Sequence, residues 1–419
     1  MIFTSIYSVV DGLFVSNFVG KSAFAAVNLI MPFLMGISAL GFMIGTGGSA
    51  IVAKTLGEGK IENANEYFSM LVYITAIGGI IIAILSMFLV KPVAILFGAS
   101  GTLLDNCILY GRILCISLPA FMLQNVFQSF FVTAEKPHLG LRVIVIAGVT
   151  NMVLDFLFVA VFHLGLPGAG LATVCGEFIG GLFPLFYFGR KNSSLLKLGK
   201  THFHGRILLK TCTNGSSELM TNLSSSVVNA LYNMQLMKFA GEDGVAAYGT
   251  IMYVNFIFVS IFFGYAIGSA PIVSYHYGAN NQDELKNLFH KSIRLIGTWA
   301  VSLFIIAQLI ATPLATLFVG YDQGLFELTR SGFRLYSFAF LINGFNIYGS
   351  AFFTALNNGL LSALISFLRT LVFQMAVVLL LPLLLGINGV WCSVAIAELL
   401  TLCVTGTFIV LKRNTYHYL

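Results

Sequence analysis

Displacing the sequence by 221 residues lays its second half on its first with no net gap. Gly20 then meets Gly241, Gly47 meets Gly268, Gly57 meets Gly278, Pro92 meets Pro313 and Gly111 meets Gly332. Further along, Gly165 meets Gly386, Gly168 meets Gly389 and Glu177 meets Glu398. Most matched residues are Gly, Pro or Ala, the types that decide where a chain breaks and where two backbones can touch. A register held over about 160 positions restricts the fold to two like halves built from the same plan.

What each half is made of follows from polarity. Of 419 residues 58% are hydrophobic and only 9% charged, and a soluble domain carries roughly 25% charged residues. This chain cannot cover a water-facing surface, so its surface must face lipid. The formal net charge of +6 resides in loops, which argues against nucleic acid as a partner. Six cysteines form no CxxC pair and lie mostly in apolar stretches. They read as small buried side chains rather than disulfides or metal ligands. No phosphate-cradling glycine loop, catalytic triad spacing or ATPase motif is present, so neither a bound cofactor nor ATP hydrolysis by this chain is expected.

A bilayer crossing takes roughly 20 apolar residues. Twelve runs qualify, near 1–18, 26–53, 68–90, 107–133, 141–162, 168–189, 207–237, 245–275, 291–312, 333–355, 361–385 and 388–411. The expected fold is all-α and integral to the membrane, with twelve transmembrane helices in two pseudo-symmetric six-helix bundles. Residues 1–200 form one lobe and 201–419 the other. An even number of crossings per half gives both halves one orientation, related by an axis along the membrane normal. Loops after even-numbered runs, with the C-terminus, hold fifteen Lys and Arg, against six after odd-numbered runs. That bias places both termini and the 190–206 connection in the cytoplasm, with the chain in the cytoplasmic (inner) membrane. The first run is short beside its counterpart, which begins near Arg206; about fifteen residues of a first helix are expected upstream. Gly41 with Gly45, and Gly264 with Gly268, are four apart and read as sites of close helix packing.

An ionisable side chain in hydrocarbon is costly and needs a reason. Asp11, Asp155, Glu177, Glu218, Arg369 and Glu398 fall inside apolar runs. Asp11 and Asp155 each lie about seven residues before the outer end of a run, roughly 10 Å deep at ~1.5 Å per residue. Thr173 lies at similar depth, and Asn151 shares a helical face with Asp155. The first half can therefore gather two carboxylates, an amide and a hydroxyl in one layer. The matching positions of the second half are Tyr232, Val372, Ala376 and Val394, so the layer is not duplicated, which favours function over folding. Two such carboxylates resist ionising together; the layer can take a proton or hold Na⁺ between Asp11 and Asp155. Glu177 and Glu398 are duplicated and fit a shared structural contact. Arg369 is expected to pair with an acid or with carbonyls, Glu398 among the candidates. Glu218, with Asn222 and Asn229, lies on the most polar helix of the second half and should face a cavity, as a substrate or cation contact.

Several segments together resemble the multidrug and toxic compound extrusion (MATE) transporters. They are Tyr7-Ser-Val-Val-Asp11-Gly-Leu-Phe-Val-Ser-Asn-Phe-Val-Gly20 with Ala25-Ala26, Gly45-Thr-Gly-Gly48 with Gly57-Glu-Gly59, and Asn151-Met-Val-Leu-Asp155 with Gly168-Ala-Gly-Leu-Ala-Thr173. Pro271-Ile-Val-Ser-Tyr-His-Tyr-Gly278 completes the set. The likeness spans the chain and points to the prokaryotic branch of DinF-like and MepA-like exporters. It departs from the family in lacking the upstream proline of the first helix and in carrying Thr4 where some members have glutamine. The resemblance implies a monomeric antiporter that exports amphipathic, mostly cationic organic compounds against H⁺ or Na⁺. It also implies that Asp11, Asp155, Asn151 and Thr173 form the ion-coupling cluster. The alternative is a flippase for a lipid-linked saccharide or other lipid, which would need a more basic interior than one Arg369 supplies. A membrane enzyme would show clustered catalytic side chains at a membrane surface, and a channel a filter loop or symmetric subunits; neither is present in the sequence.

Overall fold

Hydrocarbon offers backbone N–H and C=O groups no partner, so a chain this apolar must satisfy them within its own segments. The computed structural model describes residues 14–19, 21–320 and 322–418, and among these there is no strand. The helices are α1 (Lys21–Gly57), α2 (Ile61–Leu96), α3 (Gly101–Thr133), α4 (Pro137–Asp155), α5 (Gly165–Gly189) and α6 (Gly205–Gly278). They continue as α7 (Gln282–Val319), α8 (Gln323–Tyr336), α9 (Phe340–Ala355), α10 (Gly359–Phe367), α11 (Gln374–Leu385) and α12 (Ile387–Tyr416). A single 3₁₀ turn, Ser337–Ala339, joins α8 to α9, and π-turns at Phe156–Val161 and Leu368–Phe373 extend α4 and join α10 to α11.

Ten of the described helical stretches are long and apolar enough to cross a membrane. The expected seventh run is helical too, but Glu218 and its Ser and Asn neighbours make it more polar. The expected first run lies largely outside the described residues, which begin with a π-turn at Val15–Val19.

The repeat reappears in the helix ends. Adding 221 to 21–57 gives 242–278, the part of α6 beyond Gly241, where φ 61° and ψ −147° break the helix in two. Adding 221 to 61–96 gives 282–317, against Gln282–Val319 observed, and 165–189 gives 386–410, against Ile387–Tyr416. Gly165 and Gly386, matched in the repeat, both open a helix in the left-handed region, with φ 64° and 57°. A side chain there would strain the backbone, so the repeat preserved glycine.

By contacts the chain divides into two units, Met1–Gly215 and Ser216–Leu419. In the first, α3 packs against α1, α2 and α5. A Cβ on Gly41 would stand 2.6 Å from the Met122 carbonyl oxygen, and one on Gly45 2.9 Å from that of Asn125, so α1 and α3 touch backbone to backbone as the spacing predicts. Gly268 differs: among the described residues no neighbouring atom lies within 4 Å of its Cβ position, so the close packing expected of it is not seen there. Phe68, Phe127, Phe130, Phe131 and Phe188 fill one end of this unit, with the Phe68 and Phe130 rings 4.9 Å apart. All six cysteines are free; Cys107 and Cys115 are buried as expected, but Cys403 is exposed.

The connection after α5 is a fastened strap rather than a free loop. Lys197 N donates to Asn65 Oδ1 at 2.6 Å and Gly199 N to Ser69 Oγ at 3.0 Å. His204 Nε2 lies 3.0 Å from Glu66 Oε1, so the strap ends pinned to α2 where α6 begins.

Gly45→Leu is expected to overpack the α1–α3 contact and cost about 1–3 kcal/mol. Gly78→Ala, where nothing lies within 4 Å, is expected to change stability by no more than ~0.5 kcal/mol. Thermal melting of the two detergent-purified variants against the parent checks both.

Candidate functional site

Of the layer expected in the first unit, the structure joins Asn151 on α4 to Thr173 on α5, and Asp155 lies one turn beyond Asn151 on α4. Asp155 is fully buried and Asn151 nearly so. Asn151 Nδ2 donates to Thr173 Oγ1 at 3.5 Å, and the hydroxyl donates in turn to the Ala169 carbonyl oxygen at 3.2 Å. Asn151 Oδ1 is buried with no hydrogen-bond partner among the described residues. The fourth member, Asp11, lies outside the described residues.

The helices meet closely here because α5 carries Gly176. A Cβ there would stand 3.0 Å from the Ala147 carbonyl oxygen and 3.2 Å from Asn151 Cβ. Val159, just beyond Asp155, and Ala169 and Val174 of α5 belong to a buried hydrophobic cluster with Val15, Ile30 and Tyr110. Low polarity around a carboxylate strengthens every charge interaction it makes.

The α-helical ladder of α4 ends at Asp155 and gives way to the π-turn Phe156–Val161. A second π-turn, Leu368–Phe373, contains Arg369, and the third, Val15–Val19, follows Asp11 by four residues. Such turns recur at functional sites because the extra residue re-aims side chains and loosens the backbone ladder. Nothing in the sequence marks them, since none contains Gly or Pro.

The second unit holds a different polar centre. Arg369 Nε donates to Glu398 Oε1 at 2.8 Å and Oε2 at 3.0 Å. Its Nη2 donates to Asn343 Oδ1 at 3.3 Å. Asn346 Nδ2 donates to Glu398 Oε2 at 2.7 Å and to the Glu398 carbonyl oxygen at 2.8 Å. The sequence identified the acid and the base; Asn343 and Asn346 escaped it because neutral amides raise no alarm in an apolar run. Glu177, the repeat partner of Glu398, is half-buried.

Glu218, Asn222 and Asn229 lie on α6. Asn222 Nδ2 bonds back to the Glu218 carbonyl oxygen at 2.8 Å, and Asn229 Oδ1 accepts from Tyr248 at 3.0 Å. Tyr232, the repeat counterpart of Asp11, is buried and stacks on Tyr248 at 5.4 Å.

The MatE family profile matches residues 1–157 and 219–380. The chain is 22% identical over 418 residues to multidrug export protein MepA of Staphylococcus saprophyticus, covering 98% of this chain and 91% of that protein. To MepA of Staphylococcus haemolyticus it is 24% identical over 409 residues, covering 96% and 89%. Among solved structures, an outward-facing multidrug resistance MATE family transporter of the MOP superfamily superposes with a TM-score of 0.93 at 22% identity, over 100% of this chain and 93% of that one. A MOP superfamily transporter from Pyrococcus furiosus superposes with a TM-score of 0.92 at 23% identity, over 99% and 93%. At these identities the structures speak to the fold.

Gly176→Leu is expected to force α5 from α4 and cost about 1–3 kcal/mol. Thr173→Val, which removes only the hydroxyl, is expected to cost about 0.5–1.5 kcal/mol. The larger fall in melting temperature should belong to the glycine variant; the reverse order would mean that the hydrogen bond, not the close approach, holds the pair.

Proposed function

The chain belongs to the MatE family, and from that premise we propose that it is a multidrug antiporter of the cell membrane, exporting amphipathic, mostly cationic organic compounds by alternating access against inward H⁺ or Na⁺. One observation carries the reading. Asp155 is fully buried in a membrane-spanning helix, one turn from Asn151, whose amide donates to Thr173, and a carboxylate at such a place is retained for a function more often than for stability. Asn151 Oδ1, an acceptor with no described partner, is a further oxygen for a bound cation, and hard oxygen donors suit both a proton and Na⁺. Asp11, on the same evidence of sequence, is assigned to the same layer.

Ion and cargo need only disfavour each other. If the ion binds best in one state and the drug in the other, an ion gradient drives the drug outward. The relatives' names support multidrug export, and a transporter rather than an enzyme. Both termini are assigned to the cytoplasm by the Lys and Arg bias, and the working unit is taken as one chain, with no bound cofactor and no nucleic-acid partner. A lipid-linked saccharide is disfavoured as cargo, since the charge of Arg369 is met by Glu398.

Asp155→Asn should remove resistance to ethidium-class dyes from cells that depend on this protein, while leaving it folded in the membrane. Coupling of 1–3 kcal/mol corresponds to roughly 5–150-fold, and the loss in minimum inhibitory concentration should fall in that range. Resistance equal to the parent, at equal membrane abundance, would sink the assignment.

A further inference from the structure

We propose that Arg369 is a tethered counter-ion: its guanidinium holds the cation position of Glu398, so that this buried carboxylate takes up neither proton nor sodium during transport. Glu398 is 1% exposed and Arg369 11%. The Nε–H is shared between both carboxylate oxygens at 2.8 and 3.0 Å, and Asn346 Nδ2 adds a second donor at 2.7 Å. A carboxylate so occupied is already neutralised by a charge that cannot dissociate, since guanidinium does not lose its proton in proteins.

The repeat shows that this cation is particular to one half. Subtracting 221 carries Glu398 to Glu177 and Asn346 to Asn125, so the acid and one amide occur twice. The same subtraction carries Arg369 to Gly148 and Asn343 to Met122. The half that holds Asp155, Asn151 and Thr173 thus has no equivalent arginine, and the half that has the arginine lacks that layer. The partners also come from three separate elements: Asn343 and Asn346 from α9, Arg369 from the π-turn and Glu398 from α12.

The donors left if the guanidinium were removed are oxygens: Glu398 Oε1 and Oε2, and Asn343 Oδ1, which now accepts from Nη2. Oxygen-only sites favour hard cations. Deleting the arginine charge should therefore uncover a latent site for Na⁺ or a proton. The inference stands on the second unit's geometry alone and is independent of the role assigned to Asp155.

The test uses the full-length purified protein and reads melting temperature against sodium concentration and against pH. Arg369→Gln should gain a sodium- or acid-dependent rise absent from the parent, roughly 3 °C once the ion is about 100-fold above its Kd. Arg369→Gln/Glu398→Gln should lose that gain, and Arg369→Lys, which keeps a positive charge, should match the parent. A merely structural arginine would lower all these melting temperatures without making any of them ion-dependent. No new ion dependence in Arg369→Gln, or its persistence in the double variant, overturns the proposal. Should Arg369→Gln fail to fold, the parent and Arg369→Lys still decide it through radiolabelled sodium and proton uptake with Glu398→Gln as comparison: uptake reduced by Glu398→Gln overturns it, and unchanged uptake upholds it. Uptake indifferent to Asp155→Asn would instead contradict the coupling role of Asp155 and leave Arg369 untouched.

Discussion

Hydrocarbon gives an ionised side chain neither water nor counter-ion, so each charge placed there must be answered by the protein itself. The two halves of this chain answer differently. In the second, Glu398 meets a fixed guanidinium and an amide, an arrangement that breaks only at considerable cost. In the first, Asp155 is fully buried one helical turn from Asn151, whose amide donates to the Thr173 hydroxyl. A permanently compensated acid suits a scaffold rather than an exchangeable ion. Duplication supplied two equal frames, and placement of a few polar side chains made them unequal.

The same frame explains why small residues recur at matched places. Helices in lipid gain little from burying apolar surface against one another and associate through close packing instead. Gly41 and Gly45 let α1 lie on the backbone of α3, and Gly176 lets α5 approach α4 closely enough for Asn151 to reach Thr173. Packing and chemistry are therefore one arrangement in the first unit: a bulkier residue in the contact would move the polar layer without altering any of its members. The π-turns at Asp155 and Arg369 add local freedom beside these acids and bases, in helices otherwise held by continuous hydrogen bonding.

Much of this was legible before any coordinates. The 221-residue register marked where helices break, because matched glycines take a positive φ at helix boundaries, as at Gly165, Gly241 and Gly386. The pairing of Arg369 with Glu398 was foreseeable because a buried guanidinium has few acids to choose from. The π-turns were not, since they arise from packing around a site and leave no composition signal. Asn343 and Asn346 were missed for a related reason: an amide costs far less than a charge in an apolar run and attracts no notice until its partner is known. Gly268 shows the opposite error, for a four-residue glycine spacing permits close approach without a neighbour being there to use it.

The account rests on Asp155 exchanging an inorganic ion for cargo. The most direct measurement places purified protein in liposomes and follows concentrative movement of an ethidium-class dye under a proton gradient alone and then a sodium gradient alone, for the parent and for Asp155→Asn. The parent should accumulate dye against its gradient under at least one of the two ions, and the variant should do no better than protein-free liposomes. Full-rate, gradient-driven accumulation by the variant would contradict the account.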